Sequence, residues 1–131
     1  MNIEAIKPEI AVLAKKYNLD LVVLFGSQAS GRTHAKSDVD IAFSGKGEID
    51  KHKLVLDLDQ LFKRDDIETV DLSKASPTLM RAIVKDGGLL YEKDTTTFLR
   101  WKFYAIRTWM ETAWLRAIAR KNLIEWSEKL S

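Results

Sequence analysis

The sequence predicts an α/β (α+β) domain, a small mixed β-sheet with packed helices. Three observations lead there. Apolar residues recur at helical spacing in some stretches and run continuously or in alternation in others, in the order α-β-α-β-α-β-α-β-α. The chain has 131 residues, the size of one compact domain. Its composition, 46% hydrophobic and 31% charged, supplies a core and excludes a disordered tail.

Asn2 can cap a first helix through Tyr17, in which Ile3, Ile6, Ile10, Leu13 and Ala14 share a face. Pro8 either delays the start of this helix or kinks it. Asn18 suits a left-handed stop. Leu19 to Phe25 then reads as a buried strand, apolar on both faces and ending at Gly26. Ser27 to Thr33 suits a turn with one or two helical turns. Asp38 to Phe43 alternates as a half-buried strand, with Val39, Ile41 and Phe43 facing one way.

Ser44 to Glu48 is a glycine-rich loop. Asp50 to Arg64 carries a helical stripe of Leu54, Leu58, Leu61 and Phe62, and Ile67 to Leu72 is a further strand. Pro77 opens a helix to Asp86, since proline is tolerated in a first turn. Gly87-Gly88 stops it, and Leu89 to Tyr91 adds an edge strand. Thr95 to Ser127 is helical as one helix or two, with Leu99, Phe103, Ile106, Met110, Ala113 and Ala117 in one stripe expected to pack on the domain.

Composition narrows the chemistry. There is no cysteine, which excludes disulfides, a thiol nucleophile and thiolate metal sites and fits a reducing compartment. The N-terminal residues form no secretory h-region, and no apolar run approaches a membrane span, so a cytoplasmic location without membrane attachment is expected. Charge is uneven: residues 1–94 carry a net −2 and residues 95–131 a net +4. Trp101, Trp109, Trp114 and Trp126 all fall in that basic end. They lie on several helical azimuths, which suggests a homo- or hetero-oligomer surface. A solvated helix with one packed face is the plainer account of its charge, and nucleic acid is not the expected partner.

The residues that carry chemistry are Gly26-Ser27 after the first strand, Asp38-Val39-Asp40 on the next, and Asp71 on a third. Residues i and i+2 of a strand share a face, so Asp38 and Asp40 present paired carboxylates. Two ionised carboxylates at one spot favour a hard cation between them, and Mg²⁺ prefers such oxygen donors. Gly26 lets a phosphate approach the backbone, and Ser27 offers N–H groups and a hydroxyl at a helical turn. Arg32 and Lys36, between the two halves of the motif, are placed to neutralise a triphosphate. Asp57-Leu58-Asp59 repeats the acidic spacing within a helical stripe, where i and i+2 diverge, and is read as a solvated face.

Gly26-Ser27, ten residues, then Asp38-Val39-Asp40 resembles the G-S-x(10)-D-x-D signature of the DNA polymerase β-like nucleotidyltransferase superfamily. With Val70-Asp71-Leu72, residues 19–91 look like its minimal nucleotidyltransferase branch, and in particular like MntA-type antitoxins that pair with a HEPN (HepT-type) toxin. The resemblance implies a palm-like core over residues 1–94 and a C-terminal helical extension over 95–131, packed on the core, a partner or both. It implies two Mg²⁺ ions held by Asp38 and Asp40, with Asp71 sharing a metal and helping to deprotonate the attacking hydroxyl. It also implies AMP transfer from ATP to a tyrosine hydroxyl of the toxin, with release of pyrophosphate. Two alternatives stand beside it: nucleotidylation of a small molecule such as an aminoglycoside, and a non-catalytic antitoxin that acts by binding alone.

Overall fold

The computed structural model describes residues 3–26 and 39–130. Helix α1 (Ile3–Lys16) leads into strand β1 (Leu19–Phe25), and β2 (Val39–Gly45) returns beside it. There follow α2 (Lys51–Phe62), β3 (Ile67–Asp71), a 3-10 turn (Leu72–Lys74), α3 (Pro77–Asp86) and β4 (Gly88–Glu92). Helices α4 (Thr97–Glu111) and α5 (Ala113–Lys129) close the order. The helical turn expected over Ser27 to Thr33 lies outside the described residues.

The local chemistry sets these boundaries. Helix α1 begins at Ile3 and continues across Pro8, so the proline does not delay it. Asn18 takes a left-handed φ of 57° and ends the turn after it, as expected. Asp50 caps α2 by accepting from the Lys53 amide at 3.2 Å, and Ser76 caps α3 by accepting from the Leu79 amide at 3.2 Å. Strand β2 runs on through Ser44 and Gly45, which composition alone assigns to the loop, because both residues pair with β1.

The four strands make one sheet in the order β3-β2-β1-β4. Strand β1 is antiparallel to both β2 and β4, and β2 is parallel to β3. One face buries Val22, Leu24, Val39, Ile41, Phe43 and Ile67 against Ile10 and Ala14 of α1 and Leu54 and Leu58 of α2. The other buries Leu21, Val23 and Ala42 against Leu72, Ile83 of α3 and Phe98 of α4. Covered on both sides, β1 has no solvent face to make polar beyond Asp20, which explains its apolar run from Leu21 to Phe25. Each large aliphatic side chain so buried contributes roughly 1.5–3 kcal/mol.

Asp57 is more than a solvated helix residue. Its carboxylate accepts from the Tyr17 hydroxyl at 2.5 Å and from Lys16 Nζ at 3.0 Å, tying α2 to α1. Burial and the bond to Asp57 push the Tyr17 phenol from 10.0 up to about 12, while the same bond holds the Asp57 carboxyl below its usual value. A phenol whose folded pKa is raised stabilises fully below its unfolded pKa, and that contribution is lost as pH climbs from 10 to about 12. Urea denaturation across this window should therefore show falling stability, with a shallower decline in Tyr17→Phe. An identical alkaline decline in the variant would mean that the tether is not formed.

Helix α4 corrects the expected packing stripe. Phe98 and Ala105 are buried, and Trp101 stacks on Phe98 at 6.4 Å between ring centroids. Leu99, Phe103, Ile106 and Met110, the stripe expected to face the domain, are 54%, 64%, 44% and 68% exposed. The helix has two apolar stripes, and the one holding Phe98, Trp101 and Ala105 is the one turned inward, with Phe98 and Trp101 in the sheet-face core. Helix α5 buries no residue at all. No helix among the described residues is long and apolar enough to cross a membrane.

Candidate active site

The site forms where β1 ends and β2 begins. Gly26 leaves β1 with a φ of 81°, in the left-handed region that favours glycine. Its Cα lies directly against the Asp40 carboxylate, and a Cβ built there would overlap Asp40 Oδ2. In the sheet Asp40 is paired with Phe25 of β1 on one side and Glu68 of β3 on the other. Partners in register project to the same face, so Glu68 stands beside Asp40, near the end of the sheet where Gly26 lies. That face is the one which α3 and α4 cover further along, where Ala42 joins Ile83 and Phe98.

Asp71 is not brought to this spot. It pairs with Phe43, three residues beyond Asp40 along the parallel ladder and roughly 10 Å further on. Its alternation with Ile67 and Thr69 also turns it to the opposite face from Glu68. Its carboxylate is engaged locally, accepting from the Ser73 amide at 3.0 Å and the Ser73 hydroxyl at 2.7 Å, and so caps the 3-10 turn. Asp71 also borders a 680 Å³ cavity with Gly45, Lys51 and Lys74. That cavity sits at the far end of the sheet from Gly26 and is not continuous with the motif.

Of the other residues read from the sequence, Ser27, Arg32, Lys36 and Asp38 lie outside the described residues. Glu68 is the acid that sequence reasoning passed over. The available signal was positional: Asp40 and Glu68 are each the second residue of their strand, a match that becomes meaningful only once β2 and β3 are known to run parallel.

A protein-family model described as Polymerase beta, Nucleotidyltransferase matches residues 8–96. The chain belongs to this family. The matched segment of this nucleotidyltransferase contains the whole four-stranded sheet and both halves of the Gly-Ser and Asp-x-Asp motif. Two relatives are named protein adenylyltransferase MntA. One, from Aphanizomenon flos-aquae, is 31% identical over 103 residues, covering 68% of this chain and 67% of the relative. The other, from Shewanella oneidensis, is 35% identical over 80 residues, covering 56% of this chain and 54% of the relative.

Solved structures agree on the fold. A toxin–antitoxin structure with AMP-PNP superposes with a TM-score of 0.74 at 26% identity, covering 89% of this chain and 98% of that one. A chain of the MntA-HepT toxin–antitoxin gives a TM-score of 0.67 at 24% identity over 92% of this chain and 98% of that one.

Proposed function

We propose that this nucleotidyltransferase is the antitoxin of a toxin–antitoxin pair, moving AMP from ATP to a tyrosine hydroxyl of a cognate HEPN-type ribonuclease toxin in the cytoplasm. The observation that carries this reading is the Asp40 carboxylate seated against Gly26 at the strand end, within the family-matched segment. The names of the relatives, protein adenylyltransferase, and the solved complexes of a toxin with an antitoxin support the acceptor class.

The donor set fits a magnesium site. Asp40 and Glu68 offer only hard oxygen donors at neighbouring register positions, and Asp38 adds a third from sequence. We assign the third carboxylate to Glu68 in place of Asp71 on that register. Two Mg²⁺ ions held by Asp38, Asp40 and Glu68 would supply neutralisation of the triphosphate charge. Ser27 binds phosphate oxygens, and Arg32 and Lys36 screen the remaining charge. The acceptor oxygen bonds to the α-phosphorus as the bond to the bridging oxygen of the β-phosphate breaks. Pyrophosphate leaves, and the hydroxyl proton passes to a carboxylate oxygen.

The assignment makes opposite predictions for two acids on one strand. Glu68→Gln should lower AMP transfer by about a hundredfold, the scale of removing one positioned acid–base or metal-binding group. Asp71→Asn should leave transfer within about threefold and cost about 1 kcal/mol through the weakened cap. Initial rates and denaturation midpoints separate the two, and the reverse pattern would restore Asp71 to the site.

The function itself is tested by incubating the protein with Mg²⁺ and ATP labelled on the α-phosphate, in lysate of the source cells. One labelled protein band, dependent on Mg²⁺ and lost with Asp38→Asn, is the expected result. Pyrophosphate release with labelled small molecules and no labelled protein would move the reading to a small-molecule acceptor. A toxin still neutralised by Asp38→Asn protein would reduce the antitoxin to binding alone.

A further inference from the structure

Away from the carboxylates, α3 and α4 leave a second feature open. A 320 Å³ cavity between them has a floor of Val84, Ala105, Ile106 and Trp109 and a rim of Arg81 and Lys85. Positive charge is concentrated around it. The guanidinium carbons of Arg116 and Arg81 lie 3.3 and 4.8 Å from the centroid of the Trp109 ring. Arg81 and Lys85 stand at i and i+4 on α3, a like-charge spacing that destabilises a helix. Among the described residues none of the three cations has a carboxylate within ion-pair distance.

The local structure fixes this arrangement rather than leaving it as loose surface charge. Arg116 donates to the Thr112 hydroxyl at 2.7 Å and to the Trp109 carbonyl at 2.6 Å, so its guanidinium is held across the junction of α4 and α5. Thr112 in turn donates to the Thr108 carbonyl at 2.8 Å. The position is also informative. Gly88, three residues after Lys85, pairs with Leu24, two residues before Gly26. The cavity therefore lies toward the same end of the sheet as Gly26 and Asp40, and on the face from which Asp40 projects. Beyond it, α4 continues into the exposed Met110.

We propose that this cavity docks an acidic segment of the acceptor protein, an apolar anchor on Val84, Ala105, Ile106 and Trp109 with flanking carboxylates on Arg81, Lys85 and Arg116. Charge complementarity selects this occupant: three clustered cations with no ion-paired carboxylate among the described residues favour an anion, and the apolar floor asks for a side chain beside it. Nucleic acid is the poorer fit, because the Trp109 ring already carries two guanidinium groups and is not open for base stacking. The inference rests on the reading that the acceptor is a protein, and it places that protein beside the nucleotide.

The test uses the full chain with its cognate HEPN-type toxin, measuring binding by calorimetry and AMP transfer by initial rates. Lys85→Glu and Arg81→Glu should each raise the Kd and the acceptor KM at least about tenfold, with kcat and the KM for ATP within about threefold. Wild-type binding should weaken as sodium chloride rises from about 50 to about 300 mM, and the double variant should lose most of that dependence. Lys85 is an exposed residue of α3, so its variant keeps the test valid if Arg81→Glu disturbs α4. Unchanged Kd in both variants, or no binding by wild type, would overturn the proposal. So would displacement of the toxin by a short RNA at the same site. Weakened binding by the variants with no AMP transfer by wild type would instead overturn the catalytic reading and leave the docking site standing.

Discussion

Gly26→Ala is expected to lower AMP transfer by about a hundredfold or more while the sheet and helices remain folded. Two effects act at this position, and a control separates them. The first is backbone strain: Gly26 has a φ of 81°, where an L-residue costs roughly 1–2 kcal/mol. The second is displacement, because the new methyl group would occupy the space of Asp40 Oδ2. Asp40 sits on an interior strand between two paired neighbours, so its backbone cannot retreat and its carboxylate must rotate away. A carboxylate moved by about 1 Å costs around a hundredfold in a reaction that depends on positioning. Gly47 supplies the control, with a similar φ of 77° and nothing within 4 Å of a built Cβ. Gly47→Ala should lose comparable stability with transfer unchanged. Equal loss of transfer in both variants would mean that strain, not the seat of Asp40, governs activity.

That seat was only partly legible in the sequence. That Gly26 follows one strand and Asp40 opens the next was legible from spacing along the chain, since a glycine closing a strand and an acid opening the next are local signals. The buried strand from Leu19 to Phe25 was equally legible, because Leu21 to Phe25 is apolar without alternation. Glu68 was not, because its partnership with Asp40 is a fact of strand register between segments some 28 positions apart. Both Glu68 and Asp71 are acids on one five-residue strand, and only the pairing with β2 tells their faces and levels apart. Helix α4 failed for a different reason. Two apolar stripes fit its sequence by periodicity, and only tertiary packing, which buries Phe98 and Ala105 and leaves Leu99 and Phe103 exposed, chooses between them. The exposed stripe, with Trp114 and Trp126 of α5 at 61% and 60% exposure, is then the surplus that composition had flagged.

Asp40→Asn should abolish transfer, by about a thousandfold or more, without loss of stability. The change removes a charge and keeps the shape, so the contact with Gly26 and the pairing of β2 are preserved. In the absence of a cation, Asp40 and Glu68 are like charges at adjacent register positions, and their repulsion opposes folding. The variant's melting temperature should therefore equal or exceed that of the wild type in chelator. Adding Mg²⁺ and a non-hydrolysable ATP analogue should reverse the order. A ligand at about a hundred times its Kd stabilises the folded state by roughly 2.7 kcal/mol, and the wild type alone should show that gain. The crossing of the two melting temperatures on addition of ligand distinguishes a lost binding charge from a damaged fold, which would lower stability under both conditions. A variant that gains stability from Mg²⁺ and nucleotide as much as the wild type does, or transfers AMP within about threefold of it, would remove Asp40 from the cation site.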